Sequence, residues 1–141
     1  MDKNRTEYWC KLWFDTGDDS PHQISEHFDV SPSIIEIKGE SSHRGRLNKN
    51  EKNLWIYESQ HRYADSEYEI YKCVEDVLQI LNRNHSNSTR LINQYKQCGL
   101  IVCCDTYTYW VQHVLPHSII VQLEKYNLPL EFSIMTYNDE E

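Results

Sequence analysis

Cys103 and Cys104 stand together in the stretch LIVCCDTYTY, and a thiolate at either position could act as a nucleophile. That chemistry needs a nearby base and an electropositive setting. Seven histidines are present, yet none completes a Cys/His signature. On a strand the two cysteines point to opposite faces, and buried small hydrophobes are the simpler reading. Zinc would need ligand pairs at short spacing. The five cysteines (Cys10, Cys73, Cys98, Cys103, Cys104) contain no CxxC, and His113 and His117 are separated by Pro116, which spoils a shared helical face. Asp15, Asp18 and Asp19 in FDTGDDS could gather around Ca²⁺, but turn chemistry with favourable charge at a helix start accounts for the three aspartates. No metal, no cofactor and no catalytic residue is expected, so an enzyme is the least favoured class.

Two other constellations remain. Lys38, Arg44, Arg46, Lys49 and Lys52, with His43, form a basic stretch inside an acidic protein. Against Glu40 and Glu51 they leave a local +3, with −11 on the rest of the chain. A phosphate or another anionic ligand could be held there, although a solvated loop explains the same charges. The second constellation is aromatic. Ten Tyr, four Trp and three Phe exceed what a core of this size requires. Aromatic side chains combine apolar area with a polar tip and are enriched at protein interfaces. Trp9, Trp13, Tyr107, Tyr109 and Trp110 could share one sheet surface next to Asp15, Asp18 and Asp19.

Composition bounds the setting. The chain has 141 residues and a net charge of −8, with 39% hydrophobic residues, enough for one self-sufficient domain. The acidic balance disfavours direct nucleic-acid binding over a large surface. The polar start MDKNRTE is unlike a signal peptide, no apolar run reaches the ~20 residues of a membrane helix, and an odd cysteine count suits a reducing cytoplasm. The expectation is a cytoplasmic protein with no membrane contact, its oligomeric state left open.

The elements that must position these residues follow from periodicity. TEYWCKLWFD alternates strictly, with Tyr8, Cys10, Leu12 and Phe14 on one face and Trp9, Lys11, Trp13 and Asp15 on the other, and reads as a strand. Ser20-Pro21-His22-Gln23 reads as a capped start for a short helix ending near Phe28. Ile34, Ile35 and Ile37 suggest a short extended piece, residues 39–53 a flexible basic loop, and Leu54–Glu58 a strand. Ser66 and Glu69 form a capping box for the longest helix, to Asn84, whose inward stripe is Ile70, Val74, Val77, Leu78 and Leu81. A shorter helix over Ser88–Cys98 would stop at Gly99. Leu100–Tyr109 is a strand, Pro116 opens a last helix to about Asn127, and Leu130–Tyr137 is a final strand with one buried face, ahead of an acidic tail at 138–141. The fold class is α+β: one mixed, mostly antiparallel sheet of about five strands with three to four helices on one face, a single domain with a folded core over 6–137.

The stretch FDTGDDSPHQISEHFDVSPSIIEIKGE, followed by NLWIYES, resembles an uncharacterised bacterial family, the domain of unknown function 4279. Its pattern falls here on Pro21, Ile24, Val30, Pro32, Ser33, Lys38, Gly39, Glu40 and Trp55, and the closing helix and strand LEKYNLPLEFSIMTY fit as well. Met135-Thr136 stand where the family usually has an acidic residue. In size and setting such small acidic families are similar to immunity proteins, an analogy that bears on function only as an expectation. The function expected is therefore a non-enzymatic, immunity-type inhibitor of a basic bacterial toxin, such as a nuclease effector. It would bind through Trp9, Trp13, Asp15, Asp18, Asp19, Tyr107, Tyr109 and Trp110. The alternative is a small-molecule or nucleotide-ligand binder or sponge, as in phage counter-defence, using Lys38, Arg44, Arg46, Lys49 and Lys52.

Overall fold

A computed structural model describes residues 6–42, 45–64, 69–107 and 114–137 of the chain. Strand β1 (Thr6–Asp15) is its organising element. Along one edge β1 pairs antiparallel with β5 (Leu54–Glu58) and then β6 (Arg62–Ala64); along the other it pairs antiparallel with β7 (Cys98–Thr106). β2 (Ile34–Glu36) extends the sheet beyond β5, and β8 (Leu130–Thr136) runs parallel to β7, giving the order β2-β5-β1-β7-β8. Ser59 spans the gap between β5 and β6. Its N–H donates to Cys10 O at 2.8 Å and its Oγ accepts from Cys10 N–H at 2.9 Å, so the β1 edge stays satisfied where its partner changes.

Among the described residues four helices accompany the sheet: α1 (His22–Ser25), α2 (Tyr71–Arg83), α3 (His85–Gln94) and α4 (His117–Tyr126). The even positions of β1 (Tyr8, Cys10, Leu12, Phe14) and the facing Leu100, Val102 and Cys104 of β7 are buried beneath them. The stripe Ile70, Val74, Val77, Leu78 and Leu81 is buried as its spacing predicts. Trp55 packs with Phe14 and Phe28, ring centroids 6.0 and 5.7 Å away, and its indole N–H donates to Ser25 Oγ at 3.0 Å. The α+β reading with a mixed, mostly antiparallel sheet therefore holds, with six strands in that sheet.

Several boundaries differ from the sequence reading, each for a local reason. Residues 39–53 contain a two-stranded hairpin, β3 (Ser41–Ser42) and β4 (Gly45–Lys49), in place of an unstructured loop. Asn50 closes its base, with its N–H donating to Glu40 O at 2.9 Å and its O accepting from Gly39 N–H at 2.9 Å. Helix α1 has only four residues, and Gln23 does not complete a capping box because its Oε1 accepts from Tyr95 OH at 3.3 Å. Helix α2 begins at Tyr71, with Glu69 just ahead of it in contact with Lys72; Ser66 lies outside the described residues. Helix α3 runs earlier than Ser88–Cys98. Buried Ser88 is inside it, with Oγ donating to Leu81 O at 2.9 Å. Gly99 does not stop that helix. It sits in β7 opposite Trp13, where an added Cβ would come within 3.1 Å of Pro129 Cγ and 3.2 Å of Trp13 Nε1.

The last strand departs furthest from expectation. β8 has no buried face: Phe132 is 42% exposed and Ile134 43%. Among the described residues it is the outermost strand of the sheet, and α4 packs mainly on α2 rather than over it.

Candidate functional site

The odd positions of β1 point to the face that, among the described residues, no helix covers. Register carries that face across the sheet. Trp13 meets Ile56 and Gly99, Lys11 meets Glu58 and Ile101, Trp9 meets Cys103, and Glu7 meets Tyr63 and Asp105. Beyond them lie Ile34 and Glu36 of β2 and Glu131, Ser133 and Met135 of β8. The strand positions of this face carry six carboxylates (Glu7, Asp15, Glu36, Glu58, Asp105, Glu131) against one lysine, Lys11.

Trp9 and Trp13 are half-buried within it. Trp9 stacks flat on His61, centroids 4.1 Å apart and planes 7° from parallel. His61 Nδ1 lies 2.7 Å from Glu7 Oε1 and its Nε2 3.8 Å from Glu58 Oε2, while Lys11 Nζ is 3.5 Å from Glu58 Oε1. The indole nitrogens of both tryptophans are shut off from solvent and have no hydrogen-bond partner among the described residues. A buried donor without an acceptor costs about 1–3 kcal/mol, so these rings are held by packing alone.

Glu7 and Asp105 are directly opposite on neighbouring strands, a like-charged pair. Burial, and then Glu7, push the Asp105 carboxyl above its ordinary range, with His61 pulling the other way. Tyr107 and Tyr137 pack beside this pair at 5.4 Å, and the charge of Asp105 raises the Tyr137 hydroxyl above its usual value. Of the residues expected to bind a partner, Trp9, Trp13, Asp15 and Tyr107 thus belong to the uncovered face or its rim. Asp18 and Asp19 do not. They sit in the turn after β1, where Asp19 Oδ2 accepts from Tyr95 OH at 2.7 Å, and burial followed by that bond pushes the Tyr95 hydroxyl up to about 12. Asp15 Oδ1 accepts from Gly17 N–H at 3.0 Å, so it serves turn and face together. Tyr109 and Trp110 lie outside the described residues.

The basic stretch adjoins the same face. An open groove of about 710 Å³ runs between the β3–β4 hairpin and the β2–β5 corner of the sheet. Among the described residues that line it, Lys49 and Lys52 are matched by Glu36 and Glu51. Lys52 Nζ is 3.8 Å from Asp15 Oδ2, joining hairpin and face. The Lys38 N–H donates to Asn53 Oδ1 at 2.8 Å, and Asn53 Nδ2 donates to Gly17 O at 2.7 Å, so Asn53 locks the hairpin's base to the turn after β1. Arg44 and the side chain of Arg46 lie outside the described residues.

All five cysteines are free and buried. Burial pushes the Cys104 thiol up to about 12 and Cys98 to about 11. Cys10 is raised first by its hydrogen bond with Cys73 and then by burial. A raised thiol at Cys10, Cys98 and Cys104 is the opposite of an activated nucleophile. Among the described residues no three His, Cys, Asp or Glu side chains converge as metal ligands, and no helix is long and apolar enough to cross a membrane.

Residues 6–137 match the profile of a family described as a domain of unknown function, DUF4279. The chain belongs to the DUF4279 family. The match spans the whole described sheet, β1 to β8, so the uncovered face lies wholly within the DUF4279 domain. No curated protein and no solved structure matches the chain.

Sequence reasoning missed Glu7, Glu58, His61 and Asp105 of this DUF4279 face. The alternation in β1 contained half of the signal, since Trp9, Lys11, Trp13 and Asp15 were placed on one side. The other half is strand pairing, which brings Glu58 and Asp105 alongside from positions about 50 and 100 residues away.

Proposed function

We propose that this protein is a non-enzymatic binding protein, an immunity-type inhibitor that docks the uncovered sheet face onto a basic bacterial toxin such as a nuclease effector. One observation carries the reading: among the described residues, a helix-free sheet face with six carboxylates, one lysine and two half-buried tryptophans at its strand positions. A nuclease surface is positive because it holds phosphates, and an acidic face speeds association with it. Trp9 and Trp13 supply the apolar anchors that hold the complex once formed. The cytoplasm is the compartment in which free thiols such as these persist.

The test is affinity capture from a bacterial host on the immobilised wild-type chain and on Trp9→Ala and Trp13→Ala variants shown to be folded by circular dichroism. One basic protein should be retained at low salt and lost at high salt. Its toxicity should be suppressed on co-expression, and each tryptophan variant should weaken binding about 10-fold or more. A captured protein that is not toxic, or whose affinity ignores both tryptophans, overturns the reading. A second reading rests on the groove beside Lys49 and Lys52, as a nucleotide-ligand sponge. A nucleotide that co-purifies with the wild type and is lost from a Lys49→Ala/Lys52→Ala variant would favour that reading instead.

A further inference from the structure

Residues 59–61 carry the chain from β5 to β6, and both flanks of this short link are clamped. Ser59 exchanges two hydrogen bonds with Cys10, at 2.8 and 2.9 Å. Arg62 pairs with Tyr8 in the ladder, and its guanidinium donates twice to Asp76 on α2, at 2.8 Å each. His61 stands between these clamps, with its ring stacked on Trp9 of the uncovered face. Exposed side chains ordinarily exchange rotamers within nanoseconds. The His61 side chain is 41% exposed, yet it is held from three directions: by the indole of Trp9 against its ring, by Glu7 at Nδ1 and by Glu58 beside Nε2.

The polar contacts fix its tautomer. A carboxylate only accepts hydrogen bonds, so Nδ1 carries the hydrogen that goes to Glu7 at 2.7 Å. Neutral His61 therefore leaves Nε2 without a hydrogen, 3.8 Å from Glu58 Oε2, and a second proton is taken up there. Histidine is the side chain suited to changing charge near neutral pH. The neutral ring supports Trp9 and adds no charge. The protonated ring puts a cation beside Trp9, among the groups that face it: Glu7 and Lys11 from β1, Glu58 from β5 and Asp105 from β7. A basic partner then meets a like charge at its apolar anchor, where Glu7 and Glu58 are already engaged.

We infer that His61 is the positioning residue of the docking face, setting Trp9 for a partner while neutral and weakening the hold on a basic partner once protonated. The inference rests on the docking reading of this face, so its test has one arm that needs no partner. In the free protein, nuclear magnetic resonance between pH 5 and 8 should show the Trp9 indole, identified by its loss in Trp9→Phe, moving with the same midpoint as the His61 ring. In His61→Phe, checked by circular dichroism, that movement should vanish. A Trp9 indole indifferent to pH, or one that still moves in His61→Phe, overturns the inference whatever partner exists.

The second arm uses an oligoarginine peptide of about ten residues as the basic probe, since guanidinium groups pair with carboxylates and stack on tryptophan. Wild-type affinity should fall about 3-fold from pH 7.5 to pH 5.5, the size of one exposed charge pair. His61→Ala should bind about 5-fold more weakly than wild type at pH 7.5, the size of a lost ring stack. His61→Phe, which returns a ring to Trp9, should recover most of that loss and show no pH dependence. Asp105 is intact in His61→Phe, so a pH dependence that persists there belongs to Asp105 and overturns the inference, as does an alanine variant that binds like wild type. A peptide that does not bind the wild type at all overturns the docking reading with it. A peptide bound as expected, while no toxin is captured from the host, removes the toxin reading and leaves the role of His61 standing.

Discussion

The two faces of β1 come from one ten-residue segment and have opposite fates. Even positions go under the helices, and Tyr8, Cys10, Leu12 and Phe14 are almost wholly buried. Odd positions stay at the surface, half-covered by one another: Trp9 by His61, Lys11 by Glu58, Trp13 by the backbone at Gly99. Strand geometry makes this division at a spacing of two residues, but different forces act on the two sides. The covered face is held by apolar area removed from water. The other tolerates two solvent-excluded indole N–H groups and a carboxylate pair, features that detract from stability when nothing is bound. Such features are retained where binding uses them, and this difference supports reading the uncovered face as the working one.

The comparison can be broken most severely on the covered side. Trp55→Ala removes the ring between Phe14 and Phe28 and leaves Ser25 without its donor. The expected loss is about 3–5 kcal/mol, read from urea unfolding. It should equal or exceed the loss from Trp9→Ala or Trp13→Ala, whose rings are only half-buried. If either surface tryptophan proves the costlier to remove, the uncovered face is a second core and the contrast fails.

A smaller effect tests how tightly the uncovered face is packed. At Gly99 an added methyl would meet Pro129 O and Trp13 Nε1, both at 3.2 Å. Backbone cannot retreat as a flexible side chain can, so Gly99→Ala should cost about 1–3 kcal/mol and shift the fluorescence of Trp13. A neutral substitution with an unchanged spectrum would mean that Trp13 moves freely and is no fixed anchor.

What could be read from the sequence follows the range of the forces involved. β1, β5 and the buried stripe of α2 were legible because alternation and helical spacing are local patterns. Boundaries set by contacts distant in sequence were not. Gln23 and Gly99 carry local helix signals, but Tyr95 engages the first and Trp13 and Pro129 crowd the second. The three residues of β6 were invisible alone, since they form a strand only beside Thr6–Tyr8. At β8 the alternation of Leu130, Phe132 and Ile134 was real, but alternation says which residues share a face and not whether anything covers it. Half of the candidate site was legible in the same way, as the odd positions of β1, while its acidic surround required the register.

That acidic surround supplies the smallest expected effect, and it has the opposite sign. Burial, and then Glu7, raise the Asp105 carboxyl above its usual 3.8. A folded-state pKa above the unfolded one means that the folded protein holds its proton more tightly. The resulting cost is complete above the folded pKa and fades as pH falls toward the ordinary carboxylate value. Asp105→Asn should therefore stabilise the protein at neutral pH, by about 0.5 kcal/mol for a like-charged cross-strand pair. The gain should shrink as pH falls toward about 4 and be gone below that ordinary carboxylate value. Urea unfolding of both proteins at pH 7 and near pH 3.5 measures this. The same substitution should weaken capture of a basic partner, because it removes a charge from the docking face. A variant more stable at pH 7 yet poorer at binding would mean that Asp105 is kept for a partner at the fold's expense. A variant less stable at pH 7 would mean that the carboxylate supports the sheet, and the division between the faces would then fail at this position.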